Sequence, residues 1–311
     1  MSLLTIIQDA CAELSLAIPQ TVIGNADPQV QQLLALANRE GSEFAAQSGN
    51  WSGWPELRRE YTFNLVPATG GTNGIYYGDT VNGSNVITNI SDTTGILAGY
   101  GTSGGSILTG STVDSVTSTT VTLNTVANAT ATQQEFTFGQ IAYDLPTDIQ
   151  MFITATQWDR NFRWQMLGPL SPQEWQTIVS GISPVGPRIR FRVMNNTFFI
   201  QPPPGQNQTD LIAYEYITKN WCKSASGTPQ SRWTADTDLY YWPDNTATLG
   251  VKWRFLAAKG LSYVEEVRTY ERAVERQMAR SGSNRSIPMN AQATGIRLLS
   301  SSNTPDTGFG S

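Results

Sequence analysis

Apolar residues recur at helical spacing over the first part of the chain. Within residues 3–16 they fall on one face, and Ser2 stands where a helix N-cap is expected. Asp27 followed by Pro28 marks a second helix start, because aspartate caps a helix and proline fits its first turn. The apolar positions of residues 28–47 again trace one face. The pattern therefore predicts two amphipathic helices that pack antiparallel.

From Glu60 onward the period of the pattern changes from helical to two. Tyr61, Phe63 and Leu65 alternate with polar residues, which is typical of a strand with one buried face. A long helical pattern thus changes to a strand within a few residues.

Residues 67–138 differ in composition from the rest of the chain. Threonine, serine, glycine and asparagine dominate, and the stretch contains no lysine or arginine. Short β-branched runs, such as residues 85–90 and 119–123, alternate with turn residues, which predicts a small antiparallel β-sandwich or barrel. The alternative is a disordered linker, but regular alternation of valine and isoleucine favours the β-domain.

The pattern of the second half predicts strands followed by helices. "YDLPTDIQMFI" (143–153) reads as strand, proline turn and strand, and "SPQEW" (171–175) as a helix start with a capping box. "RIRFRVMNNTFFIQPPP" (188–204) predicts a hairpin with a type I′ turn, ending in prolines that cannot occupy a sheet centre. Another strand follows, and residues 244–280 are mostly helical, with Gly260 predicted to mark either a break or a close contact.

Together these patterns predict an α+β fold. The expected parts are a helical-bundle body with a β-hairpin or sheet region, an inserted small all-β domain (a sandwich or barrel) and an extended C-terminal tail. The body would be discontinuous, formed by residues 1–66 and 139–285, with the insert at 67–138 and the tail at 286–311. Such an insertion is tolerated where the two ends of a loop lie close together.

Composition narrows the possible functions. The chain has a formal charge of −5, only 14% charged residues and no histidine. Without histidine, Ser-His-Asp triads, Cys-His dyads and nearly all zinc hydrolases are excluded, whereas carboxylate-pair glycosidases and Mg²⁺ enzymes are not. Cys11 and Cys222 could pair with each other, but without a disulfide framework reduced, buried thiols are favoured. No apolar run approaches the ~18 residues of a membrane helix, and the N-terminus lacks the basic region of a signal peptide.

Candidate chemical sites are weak. Glycine-rich "GTSGGS" (101–106) lies among predicted strands and lacks the helix and lysine of a phosphate loop. Asp79, Asp92 and Asp114 lack calcium-loop spacing and are better explained as turn residues. Asp236 and Asp238 could form a metal or glycosidase pair, but capping is the simpler explanation. We therefore expect no catalytic residue, metal or cofactor.

Two features indicate contacts with other chains. Arginine recurs every four residues at 268, 272, 276 and 280, which forms a ridge along one helix. The helix dipole and the intervening glutamates account for only part of this positive charge. At the junction, Trp51 and Trp54 precede a charged cluster that includes Arg58 and Arg59. This second set predicts either packing of the helix-to-strand joint or an interface, with core packing preferred for the tryptophans.

The order of these features resembles a known family. "ADPQVQQLLALANREG", "YDLPTDI", "PLSPQEWQTI", "RIRFRVMNNTFFIQPPP", "IAYEYITKNWC" and "LGVKWRFLAAKGLSY" follow one another as in head-to-tail adaptor (connector) proteins of short-tailed phages, the family that includes tail tubular protein A. The resemblance spans residues 1–66 and 139–285. The β insert departs from the minimal pattern, although "GDTVNGSNVITNIS" resembles a small β-module of phage structural proteins.

The resemblance implies a structural protein of the virion and not an enzyme. Such adaptors assemble, here in the host cytoplasm, as a twelve-subunit ring between the portal and the tail nozzle. The ring extends the DNA channel without sequence recognition and offers attachment sites for fibres or spikes; no membrane contact is implied. Portal docking or subunit contact is expected at Arg268, Arg272, Arg276, Arg280, Arg285, Ile287, Ile296 and Leu298. The alternative is a carbohydrate-binding or glycan-degrading tail component, suggested by the threonine-rich insert and the tryptophans.

Overall fold

The computed structural model describes residues 2–46, 54–181 and 188–281, which contain five α-helices and seventeen short strands. The α+β composition is confirmed. The helices are α1 (Leu3–Glu13), α2 (Pro28–Ala46), α3 (Pro172–Val179), α4 (Asp244–Ala258) and α5 (Val264–Ser281), and a short 3-10 helix covers Pro55–Leu57.

The predicted helix starts are confirmed by hydrogen bonds. The Ser2 hydroxyl accepts the N–H of Thr5 at 3.4 Å, and the Asp27 carboxylate accepts the N–H of Gln29 at 2.8 Å. Ser171 and Glu174 form the expected capping box. The long C-terminal helical region breaks at Gly260, which adopts a φ of +70° between α4 and α5.

The strands form five small antiparallel sheets. They are β1 (Arg58–Asn64), β2 (Tyr76–Thr80), β3 (Val86–Ile87), β4 (Gly101–Ser103), β5 (Val113–Val116), β6 (Val121–Leu123), β7 (Ala131–Gly139), β8 (Ala142–Asp144), β9 (Ile149–Phe152), β10 (Trp158–Asp159), β11 (Trp164–Gln165), β12 (Arg190–Met194), β13 (Thr197–Gln201), β14 (Leu211–Thr218), β15 (Cys222–Lys223), β16 (Pro229–Gln230) and β17 (Leu239–Tyr240).

A helical layer surrounds α4. Helices α1, α2 and α5 all pack on it, and α1 and α2 contact α4 more than each other. Buried Leu3, Ile6, Leu33 and Phe44 belong to this core. Both cysteines are buried and free, as expected, and burial raises the pKa of the Cys222 thiol to about 12. Within the described residues, no disulfide bond crosslinks the helical core, which is held together by side-chain packing.

A second core lies around the central sheet. Strand β14 pairs with β1 over its length and also with β9 and β10. The β12–β13 hairpin turns at Asn195 and Asn196, whose φ values of +50° and +57° fit the predicted type I′ turn. Its Phe191 and Phe198 stack at 4.8 Å and join the buried cluster with Tyr214.

Residues 67–138 contain strands β2 to β7, except for the last residue of β7. They form two open, three-stranded antiparallel sheets, β2–β7–β4 and β3–β6–β5, so the described residues form no closed barrel there. Both sheets contribute to one separate buried cluster, which includes Tyr76, Val121 and Phe136. This order argues against the disordered-linker alternative. The division into body, insert and tail remains a prediction.

The two chain segments that flank this region run side by side. The Ala68 N–H donates to the Phe138 carbonyl at 2.7 Å, and the Gln140 N–H donates to the Val66 carbonyl at 2.8 Å. The closeness of the two ends satisfies the geometric condition for an insertion. The sequence predicts that the strand leaving Tyr61 is continued by the strand arriving at Phe136, and this is wrong. Strand β1 pairs along its length with β14, whereas β7, which contains Phe136, pairs with β2 and β4.

Candidate assembly surfaces

The arginine ridge lies on the exposed side of α5. Arg268, Arg272, Arg276 and Arg280 are all exposed to solvent. Arg268 donates to Glu265 at 2.7 Å, an exposed pair of small energetic value. The other three guanidiniums have no ion pair with another described residue. Most of the positive charge of the ridge is therefore not paired within the described part of the chain. A surface of this kind is suited to bind an acidic partner.

The inward side of α5 borders an apolar groove. Tyr270 and Val274 are buried against α4, where Trp253 forms the facing wall. The groove holds about 420 Å³ and carries Glu271 and Glu275 on its rim. We call it the helix groove; it is lined by Trp253, Val267, Tyr270, Glu271, Val274, Glu275 and Met278. Ridge and groove thus give α5 two chemically different surfaces.

Trp54 packs the joint between helix and strand. It is 3% exposed, stacks on Phe44 of α2 at 4.9 Å, and meets Trp242 edge-on at 5.6 Å. Its indole N–H donates to the Phe44 carbonyl at 3.0 Å. These contacts correspond to the packing alternative for this residue. Trp51 lies outside the described residues.

The charged cluster after Trp54 is engaged within the chain. Arg59 donates to the Glu56 carbonyl at 2.9 Å and to the Tyr241 hydroxyl at 3.3 Å. Arg58 also has an intrachain interaction. The Glu56 carboxylate accepts the Ser281 hydroxyl at 3.1 Å, which ties the joint to the end of α5. Contacts of Arg58 and Arg59 with a neighbouring subunit remain a prediction.

A buried ion pair between α2 and α4 was not predicted. Glu40 is 1% exposed and pairs with Arg254, which also donates to Glu43 at 2.7 Å. Burial raises the pKa of Glu40 to about 7, although Arg254 opposes the shift. The available signal was spacing, because Glu40 falls on the same face as apolar Leu33, Ala37 and Phe44.

Three of the aspartates considered as chemical candidates have local structural roles. Asp236 accepts the N–H of Ile23 at 2.8 Å, and Asp238 accepts the N–H of Thr234 at 2.7 Å. Asp92 accepts the N–H groups of Gly71 and Thr94. A hydrogen bond from the Thr94 side chain, together with these two backbone bonds, lowers the pKa of Asp92. Over the described residues, no group of three or more acidic, cysteine or histidine side chains is placed to hold a metal ion.

A cleft beside β1 brings carboxylates and aromatic rings together. Glu60 and Glu215 lie directly opposite each other across β1 and β14, with Trp158 and Tyr214 in the same cleft of about 410 Å³. Like charges in this register repel, and Arg160 compensates by pairing with Glu60. The cleft is the described site that best fits the carbohydrate alternative.

Residues 282–311, with Arg285, Ile287, Ile296 and Leu298, lie outside the described residues. Among the helices that are described, none is long and apolar enough to cross a membrane.

A comparison with known protein families finds a match that covers more than half of the chain. A family model described as SU10 adaptor protein matches residues 108–300. The match begins inside the predicted insert and extends past the end of α5, whereas the sequence resemblance was placed on residues 1–66 and 139–285. No curated protein matches the chain.

Proposed function

The chain belongs to the SU10 adaptor protein family, and from this premise we propose that it is a head-to-tail adaptor like tail tubular protein A. It is a phage structural protein, a component of the virion. In the proposal, twelve copies form a ring between the portal and the tail nozzle of a short-tailed phage and extend the DNA channel.

The family match over residues 108–300 is the observation that carries this proposal. It includes the exposed arginine ridge and continues into the C-terminal segment. We assign portal docking or subunit contact to this region, with the ridge arginines at 268, 272, 276 and 280 followed by Arg285, Ile287, Ile296 and Leu298. Arginine is enriched at protein interfaces, where guanidinium groups bind carboxylates bidentately.

Passage of DNA fits the overall charge. A formal charge of −5 on each chain gives no general attraction to phosphate, so DNA slides through the channel and is not retained. Residues 67–138 project outward in the proposal and contact fibres, spikes or capsid. Assembly takes place in the host cytoplasm, and neither a membrane nor a cofactor takes part.

We propose that the protein is not an enzyme. It contains no histidine, and the aspartates described above hold turns and loops. The carbohydrate alternative rests on the cleft of Glu60, Glu215, Trp158 and Tyr214. Glycan-array binding or release of reducing sugar from host polysaccharide, lost in Glu60→Gln and Glu215→Gln, would favour that alternative.

A cryo-electron map of the portal–tail region of the phage that carries this chain tests the adaptor proposal. We expect a ring of twelve copies in contact with the portal, with α5 and the following segment at that contact. Particles that contain the chain elsewhere, or a portal vertex without it, would reject the proposal.

A further inference from the structure

The β10–β11 hairpin presents two exposed aromatic rings. Phe162 is 54% exposed and Trp164 is 38% exposed, yet their rings stack at 5.5 Å with an interplanar angle of 27°. Arg163 lies between them in sequence and is also exposed. We call Phe162, Arg163 and Trp164 the aromatic knob. Paired exposed aromatics beside an arginine have the composition of an interface anchor.

Hydrogen bonds hold this hairpin in place. The buried Asp159 carboxylate accepts the N–H groups of Asn161 and Phe162 at 3.0 and 3.1 Å. The Arg160 N–H donates to the Leu211 carbonyl at 2.9 Å, and the Asn161 side chain accepts the Leu211 N–H at 3.3 Å. The aromatic knob is therefore ordered before any partner binds, which reduces the entropy lost on association.

The helix groove is complementary to the aromatic knob. Its walls are apolar and aromatic, formed by Trp253, Tyr270, Val274 and Met278, and its rim carries two glutamates and no basic residue. A groove of about 420 Å³ falls in the size range that accepts compact aromatic groups. Its rim charge is opposite to that of the knob arginine.

We propose that the aromatic knob of one copy inserts into the helix groove of the next copy, with Arg163 pairing with Glu271 and Glu275. No knob residue lines the helix groove of its own chain. The contact therefore uses two different surfaces, a head-to-tail arrangement that repeats and closes into a ring when its rotation allows. This inference deepens the proposed function and rests on it for the ring.

Nucleic acid is a less suitable partner for the aromatic knob. Base stacking on aromatic rings needs a positively charged path for the phosphates. Around the hairpin, Arg160 is paired with Glu60, and Asp159 and Glu215 line the adjoining cleft together with Arg163 itself. A second copy of the chain satisfies both the apolar rings and Arg163, which has no ion pair with another described residue.

Photocrosslinking of the full-length chain tests this contact. The photoreactive residue benzoylphenylalanine replaces Phe162, and an equal mixture of light and isotope-labelled protein is irradiated at high concentration. We expect mixed-isotope crosslinks to peptides that span residues 253–278. A matched control carries the same group at Tyr77, an exposed aromatic far along the chain from the hairpin (36% exposed). Crosslinks from position 162 that are no more frequent than from position 77, or that map elsewhere, overturn the inference.

Charge reversal provides a second test. Arg163→Glu alone, or Glu271→Arg with Glu275→Arg, should weaken self-association roughly tenfold, and all three changes in one chain should restore it. These side chains are exposed, so folding is expected to persist and circular dichroism checks it. Asp9→Arg, at an exposed carboxylate of α1, is the matched control and should have no effect. Equal weakening by Asp9→Arg, or no restoration, contradicts the pairing.

The two proposals fail in different ways. A portal ring whose neighbouring copies touch through other surfaces overturns the contact between the aromatic knob and the helix groove but leaves the adaptor function. Crosslinks between the aromatic knob and the helix groove in a protein that is absent from the portal vertex would support this contact but overturn the adaptor function. Crosslinks from position 162 to added single-stranded DNA instead of α5 would assign the aromatic knob to nucleic acid and also overturn the inference.

Discussion

Glu40 has an unusual environment for a glutamate, because its side chain is buried. It lies inside the helical core with Arg254, and Gly250 of α4 stands beside its carboxylate, where a Cβ atom would overlap it. Arg254 also lies 4.4 Å from the Trp253 ring centroid. Burial of such an ion pair carries a large desolvation cost. The attraction between the two charges offsets this cost only when both partners are present.

Removing one partner of this pair should destabilise the protein strongly. We expect Arg254→Met to lower the free energy of unfolding by about 3–5 kcal/mol, because Glu40 is then buried without a cation. Glu40→Gln combined with Arg254→Met should cost less than Arg254→Met alone. Urea denaturation of the three proteins measures the difference, and a double variant at least as unstable as the single one would contradict this explanation.

The same residue predicts a pH dependence. The pKa of Glu40 rises from an ordinary 4.5 to about 7 on folding, so the folded chain binds this proton more tightly than the unfolded chain. Its stabilising contribution is fully present below about pH 4.5 and is lost as the pH rises through about 7. The melting temperature of the wild type, relative to Glu40→Gln, should therefore fall between about pH 5 and pH 7.5.

Glu43 serves as the control for this pH measurement. Burial opposes the shift, but hydrogen bonds from Arg254 and Arg39 lower the pKa of Glu43. Its contribution is present above its unfolded pKa and is lost only at more acidic pH. Because the charge of Glu43 adds only a small upward contribution to the pKa of Glu40, Glu43→Gln should change the slope between about pH 5 and pH 7.5 much less than Glu40→Gln does. A similar slope change in both variants would exclude Glu40 as its source.

At the scale of elements, α5 combines two surfaces on one helix. Tyr270, Val274 and Gln277 are buried, whereas the arginines at four-residue intervals face solvent. Like charges at this spacing slightly destabilise an isolated helix, so packing on α4 must hold the helix in place. Because the ridge arginines are exposed, their substitution should not disrupt the fold, and the ridge can therefore be tested by mutation.

Reversal of the ridge charge should affect assembly and not stability. Arg272→Glu with Arg276→Glu changes only exposed side chains, so the free energy of unfolding should move by less than about 1 kcal/mol. Incorporation into particles should fall at least tenfold, measured by quantitative mass spectrometry of purified virions. Arg232→Glu, at another exposed arginine, is the matched control. Normal incorporation of the ridge variant would remove the ridge from the docking surface.

At the scale of the whole molecule, the described residues form three separate hydrophobic clusters. One lies among the helices, one around β14 and its neighbours, and one inside residues 68–138. The third cluster draws its members from within its own stretch of chain. Because the buried apolar side chains of this cluster all come from its own stretch of chain, the rest of the molecule should not need it to fold.

Replacement of residues 67–138 by a linker of about four glycines should therefore leave a folded protein, because Val66 and Gln140 are already hydrogen-bonded neighbours. We expect a single cooperative thermal transition and the helical circular dichroism of the parent. Deletion of the hairpin 190–201 is the contrasting control, since it removes Phe191 and Phe198 from a core. A linker variant that fails to fold would show that the two parts depend on each other.

Much of the local structure could be predicted because its causes are local. The capping box at Ser171, the turn at Asn195-Asn196 and the break at Gly260 each depend on a few neighbouring residues. A phage adaptor-type protein could also be predicted, since the order of short segments is a property of the sequence. Glu40 could not be paired with Arg254, because 214 positions separate them and neither helix alone specifies its neighbour. Pairing of β1 with β14 was missed for the same reason.

The sequence by itself determined the α+β composition, the capped helix starts at Ser2, Asp27 and Ser171, and a phage adaptor-type protein, because propensity, periodicity and segment order are properties of the linear chain. Only the tertiary structure decided which faces meet. It buried Trp54, engaged the charges that follow it within the chain, and left Phe162 and Trp164 exposed on a rigid hairpin. Burial depends on elements brought together from distant parts of the chain, and that information appears only when the chain has folded.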